Sequence, residues 1–149
     1  MNATHPVSAE QLMSTPVVGV TSEHSLAAAW AAMRESRVRH LAVLDEYGLS
    51  AILDDRTVLA EWPAGGPDAP HRRKVGDVVR HGVRSVSPDE PAAAVARVMV
   101  ESHCDAVPVI TRSGVILGLV TATDLVSAIA REAVSVAPGA GSCEHGDRD

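Results

Sequence analysis

The sequence predicts a mixed α/β fold (α+β): two tandem β-α-β-β-α repeats packed sheet to sheet with pseudo-two-fold symmetry. Three observations carry that prediction. The chain matches itself without a gap at a constant offset of 66 residues, pairing Met33 with Met99, Val17 with Val83, Ala27 with Ala93, Glu35 with Glu101, Val43 with Val109, Gly48 with Gly114 and Leu59 with Leu125. Inside each copy the apolar pattern passes from a short strand to a helix and then to two more strands. A unit of this size also has a sheet face it cannot cover alone, so each copy needs the other.

Each copy opens on a short apolar strand, at 17–20 and 83–86. In the second copy Ser87-Pro88-Asp89-Glu90 offers a capping serine, a proline at the first helical position and a glutamate at the third. The helix it predicts carries Ala93, Ala94, Ala96, Val98 and Met99, and its counterpart runs over 26–33. Two strands follow, at 41–44 and 49–53 in the first copy and at 106–110 and 115–120 in the second. The turns between them end on Gly48 and Gly114, where a hairpin commonly requires positive φ. A final helix starts near Asp55 or Thr123. The resulting division is repeat one over 8–61, a linker over 62–74, repeat two over 75–132 and a disordered tail over 133–149. The linker's Pro and Gly content marks an exposed connector. Its basic run, His71-Arg72-Arg73-Lys74, reads as a solvated charge run ahead of a contact for a phosphate or an acidic partner.

Composition narrows the function. Hydrophobic residues make up 46% of the 149-residue chain but aromatics only 2%, with no Phe, so the core must be built from Val, Leu, Ile, Ala and Met. The lack of aromatic platforms for base stacking and a net charge of -6 both argue against a nucleic-acid surface. Cys104 and Cys143 form no CxxC pair and suggest no disulfide framework. With neither a basic-then-apolar leader nor a long apolar span, the chain reads as cytoplasmic, without a membrane partner. There is no recognisable nucleophile motif, glycine-rich phosphate loop or metal-ligand cluster, so no enzyme is expected.

Several motifs stand out against this background. The second repeat has Ala106-Val107-Pro108-Val109, then Gly114, then the step Thr121-Ala122-Thr123-Asp124 within "GLVTATDL". The first repeat has "LMSTPVVGV" and "RVRHLAVLDEYG", and "ILDDRTVL" at the matching step. On these residues the chain resembles a pair of cystathionine-β-synthase (CBS) domains, a Bateman module, over about residues 8 to 132. It departs from that pattern at Ala42, where proline is usual, and at Asp55 and Val58, which replace Thr121 and Asp124 of the second copy.

The resemblance implies a compact pair, assembled as a homodimer, with two inter-repeat clefts for adenosine ligands such as AMP, ADP, ATP or S-adenosylmethionine. By position it implies that Asp124 holds the ribose, that Thr121 and Thr123 support the ribose-phosphate side, and that Leu119 lines the adenine pocket. The opposite wall would come from Thr15, Pro16 and Val17 and from Arg39 and His40, with Arg39 the candidate cation for a phosphate. That suits the chemistry, because a carboxylate accepts two hydroxyl protons and a helix N-terminus offers N–H groups to phosphate. The first-repeat cleft differs. Val58 cannot accept a hydroxyl proton, Asp54 and Asp55 would repel a phosphate there, and Asp105 stands where the first repeat has Arg39. At most one adenine-nucleotide site is expected, built on Asp124, with a less charged ligand left open for the other cleft.

Plainer readings stand beside these. The Thr121–Asp124 step serves equally as a helix cap, and Arg39-His40 as a solvated turn. Cys104 reads as a small buried hydrophobe, and Met33, Met99 and Trp30 as core, with Trp30 and Trp62 open as interface markers. Cys143 and His145 make only a weak metal site. The expectation is a stand-alone regulatory CBS pair that requires no cofactor, binds AMP, ADP or ATP, and acts on an unknown regulated protein. The alternatives are a ligand-independent interaction or scaffold module and an S-adenosylmethionine binder.

Overall fold

The computed structural model describes residues 6–62 and 67–136. The tail and its Cys143 and His145 lie outside the described residues. The fold is mixed α+β and holds two small sheets, as the repeat predicts. In the first repeat β1 (Gly19–Thr21) runs parallel to β2 (His40–Asp45), which pairs antiparallel with β3 (Gly48–Asp54). Helix α2 (Leu26–Ser36) joins β1 to β2, and α3 (Asp55–Glu61) follows β3. In the second repeat β4 (Ala106–Ile110) pairs antiparallel with β5 (Ile116–Thr121), between α5 (Ala92–Ser102) and α6 (Ala122–Val136). Gly48 and Gly114 turn the two hairpins at φ 113° and 86°, conformations that a Cβ disfavours.

Two expected elements differ, each for a local reason. No strand forms over 83–86. Val86 alone bridges to Val109, donating to the Pro108 carbonyl at 3.0 Å and accepting from Ile110 at 2.9 Å. In the first repeat the matching ladder begins one step earlier, with Ala42 N–H donating to the Val18 carbonyl at 2.9 Å. Proline at 108 has no N–H for the equivalent bond, so the edge strand shrinks to a single bridge. Helix α5 also starts late, at Ala92 behind Pro91, rather than behind Ser87. The expected cap residues form a turn whose carbonyls are already used: Pro88 accepts from Glu10 N–H and Glu90 from Ala9 N–H, at 3.0 and 2.7 Å.

Those last bonds belong to an exchange between the repeats. Before β1 lies a short helix, α1 (Ala9–Leu12), closed by a Ser8–Gln11 capping box. Its Ala9 and Leu12 are buried in the second repeat's core with Val95, Met99, Val107 and Val120. In return Val75, in a 3₁₀ turn at Val75–Asp77, is buried in the first repeat's core with Leu26, Leu41, Leu53 and Val58. The backbone bonds repeat at the 66-residue offset: Ala9 to Glu90 matches Val75 to His24, Glu10 to Pro88 matches Gly76 to Ser22, and Ala92 to Val7 matches Leu26 to Arg73. Each repeat thus lends its leading segment to the other.

The linker is not simply exposed. Residues Ala69–Arg72 form helix α4, and Ala69 and Pro70 are buried, α4 packing against α2. The basic run is partly paired, Arg73 with Glu61 and Lys74 with Glu23. Met33 and Met99 are core residues as expected, and Trp30 meets Trp62 edge-on at 6.2 Å between ring centroids.

Candidate functional site

Where the two repeats meet there is a cavity of about 280 Å³, just below the usual range for ligand pockets. One wall is the stretch after α1, with Ser14, Pro16, Val17 and Val18. A second is the turn from α2 into β2, with Arg37, Val38, Arg39 and His40, together with Asp55 at the start of α3. The third comes from the other repeat: Asp105, Leu119 on β5, and Thr121, Ala122 and Thr123 where β5 passes into α6. The pocket therefore has an apolar side, Pro16 to Val18 with Leu119, and a polar side.

The Thr121–Asp124 step is a reciprocal cap. Thr121 N–H and its hydroxyl both donate to Asp124 Oδ2, at 2.7 and 2.8 Å, and Asp124 N–H donates back to Thr121 Oγ1 at 3.3 Å. The carboxylate also reaches across to the lending segment, accepting from the Ser14 hydroxyl at 3.4 Å. Ser14 is held there by two backbone bonds with Leu119, at 2.8 and 3.2 Å. Gly118 makes this approach possible, because a Cβ there would lie 2.7 Å from Met13 Sδ and 2.9 Å from the Ser14 carbonyl. The first repeat has Ile52 in that place, and the matching bridge between Arg80 and Leu53 is absent among the described residues.

Of the residues singled out in the sequence, the structure gathers Pro16, Val17, Arg39, His40, Leu119, Thr121 and Thr123 around the cavity. Thr15 is not on its lining. Asp124 stands half-buried behind Thr121, held by the cap and by Ser14. Sequence reasoning missed Ser14, Val18, Arg37 and Val38, neighbours of named residues whose only signal was that adjacency. It also assigned Asp55 and Asp105 to the other cleft. The pairs Arg39/Asp105 and Asp55/Thr121 are related by the 66-residue offset, yet all four line this one cavity, as residues near a pseudo-two-fold axis must. Val58 is fully buried in the first core and so faces no cleft, and Asp54 is spent capping α3, accepting from Thr57 N–H at 2.7 Å.

Most of the cavity's charges are engaged. Arg39 Nε donates to Asp55 Oδ2 at 2.8 Å. The hydrogen bond and charge of Asp55 raise the Arg39 pKa above its ordinary value. Across the repeat boundary, His40 Nε2 meets Asp105 Oδ1 at 2.9 Å, and Arg56 pairs with the other oxygen. Burial pushes the Asp105 carboxyl up, but the His40 hydrogen bond and the charges of His40 and Arg56 outweigh it and leave Asp105 below its ordinary value. Cys104, expected inside, is exposed, and partial burial of its thiol raises the pKa, the opposite of activation. No cluster of three or more His, Cys, Asp or Glu suited to a metal occurs among the described residues, nor any helix long and apolar enough to cross a membrane.

The comparisons with known proteins agree on the family. The CBS domain model matches twice, at 9–63 and 75–131. No curated protein matches the sequence. Among solved structures, the CBS domain pair of protein MJ0100, in complex with 5′-methylthioadenosine and S-adenosyl-L-methionine, superposes with a TM-score of 0.74 at 22% identity, covering 85% of this chain and 98% of that one. The CBS-domain containing protein ATU1752 from Agrobacterium tumefaciens gives 0.73 at 19% identity, covering 87% and 97%. The cytosolic domain of the Mg2+ channel MgtE in complex with ATP gives 0.65 at 24% identity, covering 81% of this chain and 48% of that one. With both repeats matched in order and the fold shared along their length, the chain belongs to the CBS domain family, as a tandem pair.

Proposed function

We propose that this CBS pair is a regulatory module that binds an adenine nucleotide (AMP, ADP or ATP) in the cavity between its repeats and signals to a separate protein. One observation carries the reading: a pocket made by both repeats sets an apolar side beside a capped Thr121–Asp124 step and basic residues. The apolar side suits a base. The step and the N-terminus of α6 suit a ribose and its phosphate. A ligand there touches both repeats, so it favours the relative arrangement it fits best, and this shift of population is the signal. The chemistry is binding rather than catalysis, with no cofactor required. Structural neighbours solved with ATP, and with S-adenosyl-L-methionine and 5′-methylthioadenosine, support an adenosine ligand.

Isothermal titration calorimetry with AMP, ADP, ATP and S-adenosylmethionine tests the site. Binding in the wild type that is lost in Asp124→Ala is the expected result. No binding by any of them, or unchanged binding in Asp124→Ala, sinks the assignment. The second reading, a ligand-independent interaction module, draws on the groove between α5 and α6, where Val100, Val126 and Ile129 are 74%, 65% and 67% exposed. That face also suits a second copy of the chain, which sedimentation analysis of wild type against Ile129→Glu would reveal.

A further inference from the structure

We propose that Asp55 is a specificity residue that restricts the cavity to adenosine ligands carrying a single phosphate, by keeping Arg39 occupied. The proposal rests on the adenosine reading of the cleft. Its basis is a difference between the two copies: where the second repeat presents the neutral hydroxyl of Thr121 to the cavity, the first presents a carboxylate. That carboxylate is held in place. Asp55 N–H donates to the Arg39 carbonyl at 3.0 Å while Arg39 Nε donates to Asp55 Oδ2 at 2.8 Å, so the two residues are joined through backbone and side chain together. The Asp55 side chain is only 19% exposed against 71% for Arg39, so the acid is the fixed partner and the cation the movable one.

The remaining charges fit the same limit. The second acid on the lining, Asp105, is shared between His40 and Arg56 and gives no cation to a ligand. Arg37 makes no ion pair among the described residues and is the basic side chain left open. Arg39 and His40 on the lining each face an aspartate, Asp55 and Asp105, so Arg37 alone among the lining's basic side chains has no acid partner among the described residues. A monophosphate brings about −2 at neutral pH and finds Arg37. Each further phosphate must either displace Asp55 from Arg39 or sit unpaired beside carboxylates of its own charge, which is repulsive.

The test is calorimetry of the whole chain with adenosine, AMP, ADP and ATP, on wild type, Asp55→Asn and Asp55→Thr, the latter copying the second repeat. In the wild type AMP should bind tightest and ATP more weakly by about tenfold. Either substitution should raise the affinity for ATP relative to adenosine by about tenfold, and adding Arg39→Gln should remove that gain. Wild-type binding of ATP as tight as AMP overturns the proposal. So does an ATP-to-adenosine ratio unchanged in both variants, even though adenosine ligands bind, and the cleft reading then survives. Failure of every ligand to bind any of the proteins overturns both.

Discussion

At Asp105 the two repeats share charge: its carboxylate joins His40 and Arg56 of the first repeat to the strand entry of the second. The folded-state pKa is lowered, so this joint stabilises the fold above the ordinary carboxylate range, near 3.8, and its contribution is lost as pH falls through that value and below. Asp105→Asn should therefore lower the melting temperature at pH 7, and the gap to wild type should close between about pH 5 and pH 3. Melts at intervals across that range check it, and a constant gap refutes it. In the sequence Asp105 showed only as the place of a missing cation. Its partners lie 65 and 49 residues away, and nothing local announces them. The Thr121–Asp124 step was legible because a cap is local chemistry written over four residues.

Among the elements, β5 carries the difference between the copies. Gly118 lets Met13 and Ser14 lie on the strand, and Ser14 is the residue that reaches Asp124. Gly118→Ala should cost about 1–3 kcal/mol, because the Ser14 backbone cannot swing aside as a flexible side chain does. Urea unfolding measures this, and a loss below about 0.5 kcal/mol would show that the segment relaxes freely. The helices and hairpins were legible from period and turn chemistry: α2, β2, β3, β4 and β5 stand within a few residues of their predicted limits. The strand expected over 83–86 and the start of α5 were not, since both depend on which backbone groups another segment has already claimed. Pro108 was visible throughout, but its effect on the edge strand required knowing that position 108 is where the ladder needs an N–H.

For the molecule as a whole, the exchange of leading segments is the organising feature. Ala9 and Leu12 complete one core and Val75 the other, so neither repeat is closed without its neighbour. Leu12→Ala should destabilise by about 2–4 kcal/mol although Leu12 belongs to the repeat whose core it does not fill. Unfolding of that variant should remain a single transition by calorimetry and circular dichroism. Two separated transitions would mean that the cores are independent. The same interlock would give the proposed ligand of the inter-repeat cavity its leverage, because a shift between the repeats strains both cores at once.

By itself the sequence determined the duplication, the α+β class, the order of elements and the polar step at Thr121–Asp124, all of which rest on periodicity and on contacts a few residues apart. Only the tertiary structure decided which core each leading segment enters, that Asp55 and Asp105 share the cavity with Thr121, and that Val58 faces the interior. The reason is geometric. A 66-residue repeat places equivalent residues on opposite sides of a pseudo-two-fold axis, and residues beside that axis meet one another. Periodicity marks them as equivalent, and only packing brings them face to face.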